Sequence, residues 1–106
     1  MPVFHFDRRE RREIVSLMAH EGELLVHALQ EQADHTSGIV AEAVRSAAGK
    51  IEAGLQQGES APIELTVNEE DAVFEAVGSL RADLGFSGRL EKLERILREK
   101  IEREHG

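Results

Sequence analysis

Apolar residues recur at three- and four-residue intervals along most of this chain, and that spacing confines it to a mainly helical fold more firmly than any other feature. Ile14, Leu17, Met18, Leu24, Leu25, Ala28 and Leu29 fall on one side of a helical wheel, which predicts one long helix over residues 8–33 that tolerates Gly22. A second helix is expected over 38–57, capped at Thr36 or Ser37, with Ile39, Ala43, Val44, Ala47, Ile51 and Leu55 inward. Asn68 stands where a cap would open a third helix, whose stripe is Val73, Ala76, Val77, Leu80 and Leu84 and whose stop is Gly85. Ser87 is the expected cap of a fourth helix over 88–104, with the seam Leu90, Leu93, Leu97 and Ile101.

Two short runs break the helical period. "VFHF" (3–6) is rich in strand formers, and "IELTV" (63–67) alternates strictly, with Ile63, Leu65 and Val67 on one face. The expected class is therefore α+β, mostly helical, in the order β-α-α-β-α-α. Strands this short do not form an independent sheet, so they are expected to pair with each other or across a dimer. The 106 residues read as one domain, 1–106, with a pseudo-repeat in layout between 1–57 and 62–104.

Charge narrows the choice of partner. The net charge of −8 is spread evenly, with ten acids against six bases over residues 1–61 and eleven against seven over 62–106. Such a field repels phosphate backbones and anionic lipid, which disfavours nucleic acid and membrane as partners. The one basic cluster, "DRRERRE" (7–13), is interrupted by acids. No apolar run approaches the roughly 18–20 residues of a membrane span, and no signal-peptide pattern opens the chain, so a cytoplasmic protein is expected. The absence of cysteine removes disulfides and thiolate metal sites.

His20, Glu23, His27, Glu31 and His35 lie along one helical stripe and are the candidate metal ligands. Several features oppose that role. His20 and His27 are about 10 Å apart along a helix, too far to share one ion. "HEGEL" has Leu24 where a zinc-protease helix would carry its second histidine. The stripe also points away from the apolar face, as a solvated surface does. No catalytic constellation is present: "GFSGR" has Arg89 in place of the second glycine of a nucleophile elbow, and no phosphate-binding loop occurs. The reading is of a non-enzyme with no cofactor.

Residues 62–104 resemble the ribbon-helix-helix family of DNA-binding regulators. The likeness rests on "IELTV", the acidic start "NEED", the turn "LGFSGR" and the helix "LEKLERILREKI". It implies inward Ile63, Leu65 and Val67, an inter-helix turn of Gly85, Phe86, Ser87 and Arg89, and apolar Ile96 and Leu97 in the second helix. It also implies a strand-paired homodimer whose outward strand residues, Glu64 and Thr66, face DNA together with Ser87 and Arg89. Glu64 is acidic where that family commonly carries basic or polar residues.

The sequence thus favours a small acidic, non-catalytic interaction or regulatory module, homodimeric and with a protein partner. A DNA-binding regulator is the alternative, and a metal-binding protein using the His/Glu stripe is the third reading.

Overall fold

The computed structural model describes residues 3–8, 11–57, 62–82 and 87–105; the side chains at 7–8, 11–13 and 104–105 lie outside that description. The elements are β1 (Val3–Arg8), β2 (Arg11–Ser16), α1 (Ala19–Asp34), α2 (Gly38–Gln57), α3 (Val67–Ser79), a 3-10 turn (Leu80–Ala82) and α4 (Gly88–His105). The class is the one expected: α+β, mostly helical, with two short strands that pair with each other. The order differs, because the second strand is 11–16 and not 63–67.

β1 and β2 form an antiparallel hairpin in register from Val3↔Ser16 to Arg8↔Arg11. The expected helix over 8–33 therefore starts only at Ala19. Burial shows why. Val15 and Leu17 are buried, whereas Ile14 and Met18 are 48% and 41% exposed, so the local period is two. Over five residues, "IVSLM" satisfies both periods, and the two residues between the strands in sequence, Arg9 and Glu10, are not the Gly, Asn or Asp that announces a hairpin. Gly22 does not break α1 and is buried within it.

The "IELTV" run contributes a single parallel bridge, Phe4↔Ile63. Ile63 donates to the Val3 carbonyl at 2.7 Å and accepts from His5 N–H at 3.1 Å. Phe4 is thus flanked by Val15 on one side and Ile63 on the other. Its ring and that of Phe6 stack with centroids 6.2 Å apart, and both are buried beneath the helices.

α1 packs most extensively on α2, and α3 packs on α1, α2 and α4. On α2 the buried stripe is Ala41, Val44, Ala47, Ala48, Ile51 and Gly54. The expected stripe is rotated from this one: Ile39 is 72% exposed, and the small residues Ala41, Ala48 and Gly54 take the inward places. Close approach of two helices selects small side chains, which weigh little in an apolar count. α2 opens at Gly38 with φ of 69°, a left-handed value that glycine adopts without a Cβ penalty. α3 buries Ala72, Val73, Ala76 and Val77, and α4 contributes Leu90, Leu93, Ile96 and Leu97. Leu84, Gly85 and Phe86, expected to carry the end of α3 and its turn, lie outside the described residues, as do the side chains of the "DRRERRE" run. Among the described residues no helix is long and apolar enough to cross a membrane.

Candidate functional site

The five residues of the histidine stripe are all exposed, on the outer side of α1 and at its C-terminal cap, His35. Within the stripe, His27 Nε2 lies 3.2 Å from Glu31 Oε1, between side chains 72% and 68% exposed. Among the described residues no group of three His, Cys, Asp or Glu side chains is placed to hold a metal ion.

The residues expected to face DNA are dispersed. Glu64 and Arg89 are exposed, and the Glu64 carbonyl accepts a hydrogen bond from Lys50 Nζ at 2.9 Å. Thr66 is the N-cap of α3, a role the sequence reading gave to Asn68. Its hydroxyl accepts from Glu69 N–H at 3.3 Å, while Glu69 Oε1 accepts from Thr66 N–H at 2.8 Å, a reciprocal capping box. Ser87 caps α4 by accepting from Leu90 N–H at 3.4 Å, and its hydroxyl donates to Glu21 Oε2. Thr66→Ala is expected to lower stability by about 1 kcal/mol, the usual cost of a lost N-cap, read as a shifted urea midpoint with an unchanged slope.

Among the described residues four glutamates supply the polar interior. Glu21, Glu69, Glu70 and Glu94 are buried, each 3% exposed or less. Glu21 Oε1 accepts from Met18 N–H at 2.6 Å, closing the start of α1, and its other oxygen meets Ser87 on α4. Burial pushes the Glu69 carboxyl up. Hydrogen bonds from Lys50 (2.6 Å), Ser46 (2.6 Å) and Thr66 outweigh that effect and hold its pKa at about 2. Glu70 pairs with Lys100 Nζ at 2.8 Å, off hydrogen-bond alignment, and that ammonium also lies 5.8 Å from the centroid of the Phe6 ring. Arg81 grips Glu94 through Nε (2.8 Å to Oε2) and a second nitrogen, and Arg98 adds a bond of 3.1 Å. The hydrogen bonds from Arg81 dominate and hold the Glu94 carboxyl below the usual carboxylate range against the effect of burial; the same contact raises the pKa of Arg81.

These carboxylates act as fasteners between elements: α1 to α4, α2 to α3, α3 to α4, and the 3-10 turn to α4. Two were visible in sequence. Thr66-Val67-Asn68-Glu69 is a capping-box spacing, and Glu94 falls one residue after Leu93 and three before Leu97, inside the seam.

The described surface also carries apolar side chains that the core leaves out. Ile39 and Val40, in the first turn of α2, are 72% and 54% exposed, and Val67, the first residue of α3, is 47% exposed. A cleft of about 290 Å³ runs between these turns, lined by Ile39, Ala43, Ser46, Lys50, Thr66 and Asn68 among others. Val67 lies between two residues of that lining.

No protein-family model, curated protein or solved structure matches this chain.

Proposed function

We propose that the chain is a non-catalytic interaction module that associates through the apolar surface at the starts of α2 and α3, in the simplest case with a second copy of itself. The observation that carries this reading is the exposure of Ile39, Val40 and Val67 in the first turns of α2 and α3, with Ile39 lining the cleft between those turns. Isolated exposed apolar residues are ordinary; here three stand in the first turns of two helices that pack on each other, and their burial would contribute about 25 cal/mol for each Å² removed from water. The buried carboxylates add support, since their capping and ion-pair contacts give them structural work to do.

Binding of DNA draws less support. Thr66 is engaged in capping α3, and the "IELTV" run is tied to β1 of its own chain at Ile63, where a ribbon-helix-helix dimer would pair it with a second copy.

Light scattering coupled to size exclusion is expected to give a dimer mass that falls to a monomer in the double variant Ile39→Glu/Val40→Glu, with helical circular dichroism retained. A monomer at every accessible concentration would overturn self-association. A dimer that persists in the double variant would overturn this surface as its interface.

A further inference from the structure

A second cleft, of about 360 Å³, lies between the 3-10 turn and α4, on different elements from the apolar surface. Its charged lining is Arg81, Lys92, Arg95 and Arg98 against Glu91 and Glu94, a local excess of two positive charges in a chain of net charge −8. That excess needs a physical account. Both Glu94 oxygens already accept from Arg81, and Arg98 converges on the same carboxylate. Arg98 is held from the other side as well, with its guanidinium carbon 5.9 Å from the Phe74 ring centroid. Each guanidinium carries five donors, and Glu94 takes only two from Arg81 and one from Arg98. The two side chains remain 56% and 48% exposed, so their other N–H groups are open to the cleft.

Among the described residues Lys92 makes a 3.5 Å contact with the Ile14 carbonyl, and neither Lys92 nor Arg95 has an ion-pair partner. Four cations held together repel one another, and an anion shared among them removes that cost. Guanidinium pairs fixed by a common carboxylate are pre-organised for bidentate contact with oxyanions.

We propose that this cleft binds a compact polyanion carrying two or more phosphoryl or carboxylate groups. Its volume falls in the range of small-molecule sites, about 300–1,000 Å³, and the negative field of the rest of the chain opposes a long polyanion such as nucleic acid. Glu94 is the positioning residue: it sets the two guanidiniums, while Lys92 and Arg95 line the same cleft from α4.

Isothermal titration with pyrophosphate, and separately with citrate, at an ionic strength held constant with sodium chloride tests the site. Saturable binding of one anion per chain is expected, about ten-fold weaker in Arg95→Ala and weaker again in Lys92→Ala/Arg95→Ala, the scale of one lost charge-assisted hydrogen bond per step. Neither residue contacts Glu94, so the melting temperature of both variants should stay within a degree or two of the parent's, and a fold defect would show there. Preference for pyrophosphate assigns phosphoryl ligands, and preference for citrate assigns carboxylates. Heats that never saturate with either anion, or affinity unchanged in the double variant, would overturn the site.

Discussion

Phe4→Ala is expected to destabilise the protein by about 3–5 kcal/mol, the largest effect of any single substitution considered for this chain. Phe4 has no exposed surface, and its ring stacks on Phe6 with planes 2° apart. Its backbone is the middle rung of the small sheet, paired with Val15 on β2 and bridged to Ile63. Truncation removes the apolar surface of the ring, its contact with Phe6 and the wedge that seats the hairpin against the helices. A domain of this size has roughly 5–15 kcal/mol in total, so the variant should retain a folded baseline with a much reduced urea midpoint. Phe4→Leu, which keeps most of the volume, should cost under about 1.5 kcal/mol. A loss below about 1 kcal/mol for the alanine variant would mean that the hairpin contributes little to the cooperative core.

The hairpin is also the part of the fold least legible in the sequence. α2, α3 and α4 carry their apolar spacing over more than three turns, so the period declares itself, and α2 and α4 begin where the spacing placed them. β2 is six residues long, and across its end Ile14, Leu17 and Met18 fit a helical wheel as well as Val15 and Leu17 fit a strand. Only pairing with β1, a non-local contact, decides between them. Ile63 shows the converse. Its strict alternation is real, but one bridge to β1 is all it makes before Thr66 turns the chain into α3. For the candidate sites, spacing correctly put the histidine stripe on the outer side of a helix. It did not find the basic cleft, because Arg81 reaches Glu94 and Arg98 only through the packing of the 3-10 turn on α4. Spacing marks Glu69 as a capping-box acid and Glu94 as a seam position, but not the ion pairs that let them be buried, since each depends on a cation from another element.

Lys50→Met is expected to cost about 2–3 kcal/mol at neutral pH and to flatten the acid limb of the stability curve. In the parent protein Glu69 ionises at about 2, against 4.5 when unfolded. Its ionised form therefore contributes stability that is complete above pH 4.5 and is lost as pH falls toward 2; a shift of that size corresponds to about 3 kcal/mol. Burial is the strongest influence on this carboxyl and acts to raise its pKa, with Lys50 first among the opposing hydrogen bonds. Methionine keeps the aliphatic stem of Lys50 and removes the ammonium, leaving Ser46 and the Thr66 cap to hold the charge. The pKa in the variant must then rise toward the unfolded value, and the proton taken up on acid unfolding shrinks accordingly. The cost stays below the 3–5 kcal/mol of a fully buried pair because two hydrogen-bond donors remain and Lys50 itself is 39% exposed. The gap in urea midpoint between the two proteins should narrow steadily from about pH 4.5 down to pH 2.5, since Glu94 and its arginines contribute equally to both. Parallel curves, with the same gap at pH 2.5 as at pH 7, would show that Lys50 acts through packing and not through the charge of Glu69.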